Sequence, residues 1–495
     1  MAYAIAAGHT ETLKAAQEII ENGGNAVDAA ISAFLTAMVV EPCMAGVGGG
    51  GLALVRQPGG QTLSFDFFCQ TPIHKIPRDK EDFYPVTVDF GGTLEDFYVG
   101  AASIATPGSI AGVYALYKQF GTIPIRELFS RAIQLAKQDV PLDTFQAYDL
   151  VLLEGICGAS IRGREIFFKE DGSLKKEGDT LSFPHLADFL EVLSYEGESF
   201  FYRGDIAEYV QKITEERGGH LTFEDFRKYK VNVGLSPSFK WGNAQVHTIG
   251  YPSIGSAIIT SLLKEIEDVK DAHLSKGIVR NLGHALRNTY NLSKDPQALA
   301  NHLYHSHGIP TQLSHQVKKG GTTHFSIMDD KGMSVSLTTS IGEGSGVFIP
   351  GTDIQLNNML GEEALMSKGF YNWDQDQRLI SMMSPTIVED DQGKVLVTGT
   401  GGAGRIPYMI SLLCHFVFKM KMNLEDAVNA SRLYYHKGVL EIEPGYDIPT
   451  DLDMDVNAWK EKTLYFGGTH SVMMDGSQMS AMADARRFGS AICNA

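Results

Sequence analysis

The sequence predicts a layered α+β fold, because helical and strand-like segments occupy separate stretches of the chain. Residues 107–300 are mostly helical in pattern, whereas short strand-like segments dominate from Thr322 onward. Hydrophobic residues make up 43 % of the 495 residues and charged residues 20 %, so the chain can bury a sizeable core. This length allows two to four domains or one large multilayer domain.

The predicted elements begin with an amphipathic helix at 10–22, which Gly23 and Gly24 end. The nearly all-apolar segment 26–40 predicts a buried helix, and 52–56 and 62–68 predict strands. Further helices are expected at 108–119, 125–138, 205–216, 254–267, 276–291, 406–420 and 424–431. Further strands are expected at 322–328, 333–340, 384–389, 394–400, 438–443, 469–474 and 478–483.

The composition also limits partners and compartment. A net charge of −17 argues against nucleic acid or an anionic membrane as the main partner. Five widely spaced cysteines fit neither a disulfide framework nor a zinc site. The N-terminus has no basic, apolar leader, and the longest apolar stretch is too short for a bilayer and contains Asp28. We therefore expect a cytoplasmic protein, or a periplasmic or secreted one if a leader was removed.

Two glycine-rich motifs resemble dinucleotide-binding turns. GVGGGG at 46–51 follows a helix and precedes a strand, the reverse of the required order, so it predicts a tight backbone crossing. GTGGAG at 399–404 lies between a strand and a helix, but no second strand with an acidic end follows. This second turn is expected to present backbone N–H groups to a negative oxygen.

Two clusters of titratable residues are interpreted as structural. His302, His305 and His307 lie in a predicted helix at 298–306, which would not place all three on one face, so we interpret them as a solvated cluster rather than a metal site. Asp329 and Asp330 fit turn chemistry better than a catalytic pair.

Residues 319–340 read as a β-hairpin. Asp330-Lys331-Gly332 suits a three-residue loop with a left-handed glycine, and that register pairs residues whose numbers sum to 662. Thr322 then lies opposite Ser340, so two hydroxyl groups face each other across neighbouring strands. Taken alone, the segment favours an ordinary threonine-rich hairpin.

Three groups of short sequence motifs, which follow one another along the chain, accompany this hairpin. The first contains GGNAVDAA at 23–30, VVEP at 39–42 and the glycines at 46–51. The second contains GGTTHFS at 320–326, GSG at 344–346, PGT at 350–352 and LNN at 356–358. The third contains MSPTIV at 383–388 and VTGTGGAGRI at 397–406, and weaker matches are TPG at 106–108 and DARR at 484–487. With these motifs the chain resembles the γ-glutamyltranspeptidase family of N-terminal-nucleophile hydrolases; residues 140–315 match poorly.

The resemblance implies a four-layer αββα sandwich and a single structural domain over residues 1–495. It also implies that the precursor cuts itself between Gly321 and Thr322, giving a large segment 1–321 and a small segment 322–495. Thr322 should begin a strand of a central sheet, with mostly helices from 1–321 outside. The two segments should stay interlocked, because each supplies strands to shared sheets.

The resemblance further assigns catalytic roles. Thr322 is the nucleophile, and its freed α-amine, a group whose ordinary pKa is about 7.7–8.0, is the general base. Ser340 matches a threonine that hydrogen-bonds the nucleophile. The backbone N–H groups of Gly402 and Ala403 match the oxyanion hole, where an alanine is tolerated if its φ is negative. No metal or organic cofactor is needed for this chemistry.

The implied substrate site departs from the family pattern at most of its positions. Phe68 stands in the region where the family has the arginine that holds the glutamyl α-carboxylate. Gly342 and Met359 replace an asparagine and a glutamine. Ser381 is retained, but Met382 replaces a second serine, and Glu362 or Glu363 substitutes for the aspartate that pairs with the α-amine. Either another cation such as Arg405 binds the carboxylate, or the acyl group is not ordinary γ-glutamyl.

The main hypothesis is an autoprocessed threonine amidohydrolase that transfers a γ-glutamyl or related acyl group from an amide such as glutathione to water or an amine. The alternatives are a cephalosporin-acylase-like enzyme, an unprocessed inactive relative, and a nucleotide-dependent or purely structural protein. The expected partners are a small acyl amide and its acceptor, without nucleic acid or membrane. The sequence does not decide the oligomeric state, and a homo-oligomer stays open.

Overall fold

A computed structural model describes residues 2–89, 94–294, 321–366 and 368–494. The α-helices of these residues are Thr10–Glu21, Ala26–Val40, Ser109–Phe120, Ile125–Ala136, Thr144–Leu152, Glu154–Cys157, Ile161–Phe167, Pro184–Glu196, Glu198–Tyr202, Asp205–Arg217, Phe223–Lys228, Gly255–Glu265, Lys276–Ser293, Ile406–Phe418 and Leu424–Asn429. Short 3₁₀ turns include Met359–Gly361, Ala403–Arg405, Leu464–Phe466 and Ala485–Arg487. None of the helices within these ranges is long and apolar enough to cross a membrane.

The first large sheet carries the predicted hairpin near its centre. Its seven strands lie in the spatial order Ser490–Asn494, Tyr3–Ala7, Thr322–Asp329, Ser334–Ser340, Gly50–Arg56, Thr62–Phe67 and Asn232–Leu235. The pairings among the first six are antiparallel. Strands from before and after residue 321 therefore alternate in one hydrogen-bonded layer.

The second large sheet has six strands and faces the first. Its spatial order is Gln478–Met482, Gly468–Asp475, Val395–Gly401, Thr386–Asp390, Ala244–His247 and Ser238–Trp241. The strand Val395–Gly401 contacts both strands of the central hairpin of the first sheet. Smaller strands are Tyr84–Asp89, Leu94–Val99, Val140–Pro141, Thr180–Leu181, Phe348–Ile349, Ile354–Gln355, Leu433–His436, Val439–Ile442 and Asp455–Ala458.

Two hydrophobic cores separate the layers. Alternate residues such as Phe325 and Leu337 point from the first sheet into a core shared with the helices Ala26–Val40 and Ile125–Ala136. The opposite face, with Leu52 and Leu54, joins a second core built from the second sheet and its own helices. Helices therefore cover the outer faces of two stacked sheets, which confirms the predicted αββα sandwich.

The local predictions were most accurate where the sequence of a segment was strongly apolar. The helix Ala26–Val40 has the predicted bounds and is buried throughout its length. The edge strand Ser490–Asn494 and its neighbour Tyr3–Ala7 were not predicted, because each is short and depends on pairing with strands that are distant in the sequence. The predicted helix at 298–306, with His302, His305 and His307, lies outside the described residues.

Candidate active site

Thr322 begins the strand Thr322–Asp329, which is hydrogen-bonded along both edges. It pairs directly with Ser340, and every pair in the hairpin follows the register that the sequence predicts. The loop glycine, Gly332, has a φ of +81°, as the three-residue loop requires. Thr322 is 4 % exposed, so the hydroxyl lies at the buried end of a central strand.

Gly321 occupies a position that has no room for a side chain. A Cβ there would stand 2.1 Å from the carbonyl oxygen of Cys43 and 2.4 Å from that of Gly342. Ser340 Oγ donates a 2.6 Å hydrogen bond to the Gly321 carbonyl oxygen and accepts one of 3.0 Å from the N–H of Gly342. In the uncut chain the Ser340 proton is therefore directed at the carbonyl that precedes Thr322, which it polarises.

The glycine-rich turn of the second sheet lies directly against the nucleophile residue. A Cβ at Gly401 would stand 2.3 Å from the carbonyl oxygen of Thr322. The N–H groups of the next two residues, Gly402 and Ala403, have no hydrogen-bond acceptor in the described part of the chain. Two free donors beside Thr322 suit a negative oxygen that develops there.

The backbone of Ala403 does not meet the condition under which an alanine is tolerated in this turn. Its φ is +48°, whereas the condition was a negative angle. An L-residue in this left-handed region costs about 1–2 kcal/mol. The backbone on both sides maintains this strained conformation of Ala403. Gly402 before it has a φ of +127°, and the helix Ile406–Phe418 begins just after it.

A cavity of about 40 Å³ touches Gly321 and is lined by charged side chains, among them Asp149 and Arg487. Arg487 Nη1 donates a 3.1 Å hydrogen bond to the carbonyl oxygen of Thr322. Burial lowers the pKa of Arg487 to about 10, while the charge of Asp149 opposes this shift. Burial raises the pKa of Asp149 to about 7, against the effect of Arg487. The cavity therefore contains one guanidinium group, that of Arg487, and two carboxyl groups, those of Asp149 and Glu343.

His324 lies two residues after Thr322, on the same face of the strand. Its Nε2 is 2.9 Å from Ser326 Oγ, and Ser326 donates its own proton to the carbonyl oxygen of His470. Ser326 must therefore accept from Nε2–H, and Nδ1 accepts from Thr338 Oγ1 at 2.8 Å. Burial, together with His470, holds the pKa of His324 well below its ordinary value, so the ring is neutral.

The structure brings Gly342 and Glu362 together beside Ser340. Gly342 has a φ of +68°, and a Cβ there would stand 2.2 Å from Asn358 Oδ1 and 2.4 Å from Glu362 Oε1. The neighbouring Met359 is 1 % exposed and packs in the second core. Asn358 and Glu362 therefore place polar side chains beside Gly342, whereas Met359 is part of the packing.

Phe68 is 2 % exposed and packs in the second core. Its carbonyl oxygen accepts hydrogen bonds from the Tyr229 hydroxyl at 2.7 Å and from Arg378 Nη1. Arg378 also donates to the carbonyl oxygen of Lys230 and has Nε 3.3 Å from Asp66 Oδ2. The guanidinium group beside Phe68 is thus already engaged by protein groups.

Ser381 and Met382 lie in an irregular segment that follows residues paired with the chain just after Phe68, and Ser381 forms an isolated β-bridge with Ser253. The N–H of Leu379 donates to the carbonyl oxygen of Cys69 at 3.0 Å, and the Ser381 carbonyl accepts from the N–H of Ile254 at 3.0 Å. The partly buried side chain of Met382 packs against the second core. These contacts place Ser381 and Met382 against the start of the helix Gly255–Glu265.

Arg405, considered above as a replacement cation, is 1 % exposed. Its guanidinium carbon lies 4.8 Å from the centroid of the Tyr465 ring. Its Nε and Nη2 atoms are fully buried and have no hydrogen-bond partner among the described residues. The side chain is therefore enclosed beneath the oxyanion turn rather than displayed to a ligand.

Sequence reasoning assigned no role to Arg487, Asp149 or His324. Arg487 ends the weak DARR match and His324 lies within the GGTTHFS motif, so both had a signal in the sequence. Asp149 had none, because it lies in the poorly matching part of the chain and reaches the site only through the packing of the helix Thr144–Leu152.

Comparisons with known proteins agree with this geometry. The γ-glutamyltranspeptidase family model matches residues 12–291 and 292–493. A glutathione hydrolase proenzyme of Escherichia coli (strain K12) is 29 % identical over 505 residues, covering 92 % of this chain and 85 % of that protein. The capsule biosynthesis protein CapD proenzyme of Bacillus anthracis is 26 % identical over 517 residues, covering 98 % and 90 %.

A solved structure extends the comparison to the fold. The cephalosporin acylase from Bacillus halodurans superposes with a TM-score of 0.81 at 18 % identity, covering 99 % of this chain and 95 % of that one. At this identity the likeness shows a shared fold. Because the family model spans nearly all of the sequence, the chain belongs to the γ-glutamyltranspeptidase family.

Proposed function

We propose that this chain is a self-cleaving threonine amidohydrolase that transfers a γ-glutamyl or related acyl group from a small amide to water or an amine. The observation that carries the proposal is the arrangement at residues 321–322. Gly321 leaves its carbonyl unobstructed, Ser340 polarises that carbonyl across 2.6 Å, and Thr322 follows it at the head of a central strand.

Self-cleavage would begin when the Thr322 hydroxyl oxygen attacks the carbonyl carbon of Gly321. The C–N bond between the two residues breaks, its nitrogen becomes the α-amine of Thr322, and an ester joins Gly321 to the hydroxyl oxygen. Water then hydrolyses the ester and leaves a carboxylate on Gly321. Segments 1–321 and 322–495 would remain associated, because Thr322–Asp329 is hydrogen-bonded to Tyr3–Ala7 in the same sheet.

The freed α-amine would act as general base in turnover. It accepts the hydroxyl proton of Thr322 while the oxygen attacks the substrate amide carbon. The N–H groups of Gly402 and Ala403 would stabilise the negative oxygen of the tetrahedral intermediate. The leaving amine takes the proton, and water or an acceptor amine then releases the acyl group from the Thr322 ester.

The acyl group would bind near Glu362 and Ser381, where the carboxylate of Glu362 suits a substrate ammonium group. A second candidate function, an acylase for a non-glutamyl acyl group, is favoured by one observation. Phe68 is buried and Arg378 is engaged by Phe68, Lys230 and Asp66, so neither offers a cation to a substrate carboxylate. Burying that carboxylate without a partner would cost several kcal/mol.

The first experiment is the intact mass of the purified protein after denaturation. We expect two fragments in the wild type, with the smaller one of 174 residues (495 − 321) beginning at Thr322. Thr322→Ala should stay uncut, whereas Thr323→Ala, which removes the next hydroxyl along the strand, should be cut. A single uncut species in the wild type after long incubation would refute the proposal.

The acyl group is then tested with the cleaved protein and three anilides that release the same amine. A γ-glutamyl anilide carries an α-ammonium group and an α-carboxylate, a glutaryl anilide lacks the ammonium group, and a butyryl anilide lacks both charged groups. Higher kcat/KM on the γ-glutamyl compound supports the first function, and higher kcat/KM on either of the other two supports the second. Glu362→Gln should reduce the γ-glutamyl rate selectively if Glu362 binds the ammonium group.

A further inference from the structure

The Arg487 side chain reaches the nucleophile residue through a gap between two glycines. Gly401 and Gly468 face each other on neighbouring strands of the second sheet. A Cβ at Gly468 would stand 2.7 Å from Cβ, Cγ and Cδ of Arg487, and one at Gly401 would stand 2.5 Å from Nη1. The absence of both side chains lets the guanidinium group approach Thr322, whose carbonyl oxygen it contacts at 3.1 Å.

A buried ionic network holds the backbone that carries Arg487. Asp484 Oδ2 is 2.5 Å from Arg432 Nη2, and Arg486 is bonded to both Asp484 and Glu443. Although burial opposes it, the charges of Arg432 and Arg486 hold the pKa of Asp484 below its ordinary value. The 3₁₀ turn Ala485–Arg487 is thus fixed at its start, and Arg487 is 6 % exposed. The guanidinium position is therefore preorganised.

The charge of Arg487 lies close to the nitrogen that self-cleavage would free. The nitrogen and carbonyl oxygen of one residue are at most about 3.6 Å apart, so Nη1 lies within about 7 Å of the Thr322 nitrogen. The charged groups that act on Arg487 are Asp149, Arg405, Asp484 and Glu41. Asp484 is already paired with Arg432 and Arg486, and burial raises the pKa of Glu41. The carboxyl groups of Asp149 and Glu343, which line the same cavity, oppose the positive charge that Arg487 contributes at this position.

We propose that Arg487 is a positioning residue for the nucleophile: it fixes the Thr322 carbonyl, and its charge keeps the freed α-amine in the unprotonated form that accepts the hydroxyl proton. The inference rests on the proposed function, since it needs a free amine at Thr322. Like charges a few ångströms apart disfavour each other, so the guanidinium group disfavours the ammonium form of the amine. Asp149 opposes this effect with its negative charge.

The test is the pH dependence of kcat/KM for hydrolysis of the γ-glutamyl or glutaryl anilide by cleaved protein. Arg487→Gln should move the acidic limb of the profile to higher pH by about one unit, because the amine then protonates more readily. Arg487→Lys keeps a cationic side chain type but not the planar guanidinium group, and should move the limb less than Arg487→Gln does. Asp149→Asn should move it in the opposite direction, to lower pH.

The three variants together distinguish a charge effect from a structural one. A merely structural arginine would lower kcat in Arg487→Gln without moving the limb, and this result would overturn the proposal. Shifts of the acidic limb by the same amount and in the same direction in Arg487→Gln and Asp149→Asn would also overturn the proposal. If Arg487→Gln does not fold, the pH profiles of Arg487→Lys and Asp149→Asn still test the proposal. An unshifted acidic limb in Asp149→Asn would contradict it.

Arg56→Gln is the matched control. Arg56 is also a buried arginine in an ion pair, with Glu389, but it lies at the far end of the strand Gly50–Arg56, about 20 Å from the Thr322 end. Removing the Arg56 charge should leave the acidic limb of the pH profile unchanged. An uncut wild type would refute the proposed function itself, whereas cleavage and turnover with an unshifted limb in Arg487→Gln would refute this inference alone.

Discussion

Ser340 Oγ donates a 2.6 Å hydrogen bond to the carbonyl oxygen of Gly321 and is itself held by the N–H of Gly342. The hydroxyl therefore lies where negative charge would develop during self-cleavage. Hydrogen bonds aimed at such an oxygen strengthen as the charge grows, so they accelerate the reaction rather than only stabilise the precursor.

Ser340→Ala should slow self-cleavage on the order of 10²–10³-fold, the usual effect of removing one oxyanion donor. The rate is measured as the loss of full-length mass with time after synthesis. Ser340→Thr keeps the hydroxyl and should cleave within about tenfold of the wild type. Cleavage of Ser340→Ala at the wild-type rate would contradict this role.

Gly468→Ala should displace Arg487 and lower turnover, because its Cβ would stand 2.7 Å from three carbons of that side chain. We expect a loss of about 1–3 kcal/mol in the free energy of unfolding from overpacking. Thermal unfolding and kcat/KM measure the two effects. Gly234→Ala is the control, since no atom lies within 4 Å of that Cβ position, and a similar loss there would argue against the gap between Gly401 and Gly468 as the cause.

Phe68→Arg, which restores the family's residue type in this region, should destabilise the protein rather than create a carboxylate site. Phe68 is 2 % exposed among apolar side chains, so the new charge would be buried beside Arg378 without a partner. We expect a loss of more than about 3 kcal/mol in the free energy of unfolding, whereas Phe68→Leu should cost about 1 kcal/mol. A stable Phe68→Arg protein with improved KM for the γ-glutamyl anilide would show that this expectation is wrong.

His324 should make the protein less stable as the pH falls below about 6.5. Burial lowers the pKa of His324 in the folded state, so the unfolded chain binds the extra proton first and acid favours unfolding. The free energy of unfolding should therefore fall steadily as the pH is lowered from 6.5 to 5.

The measurement is denaturant unfolding at several pH values in the wild type and in His324→Asn. The substitution keeps a donor and an acceptor but removes the titrating ring, so the pH dependence should weaken even if the variant is less stable overall. His74→Asn, at an exposed position, should leave the slope unchanged. Equal slopes in the wild type and His324→Asn would exclude His324 as the source.

Local sequence patterns determined the hairpin and the helices beside it. The loop glycine and the alternating strands set the pairing of Thr322 with Ser340, because a slip of one residue would turn Phe325 away from the first core and put polar side chains in its place. The apolar run of Ala26–Val40 likewise predicted a fully buried helix. The family motifs added the four-layer arrangement, which local periodicity could not supply.

Tertiary structure decided which groups surround Thr322 and what charge they carry. Arg487 is 165 residues away in the chain, and Asp149 lies in a helix without a recognisable motif. Their pKa values depend on burial and on each other, and the positive φ of Ala403 depends on how its turn is held. The sequence by itself thus determined the pairing of Thr322 with Ser340 through short-range geometry, and the family motifs supplied the prediction that Thr322 is the nucleophile. The electrostatic setting came only from long-range packing, because desolvation and charge proximity are properties of the assembled fold.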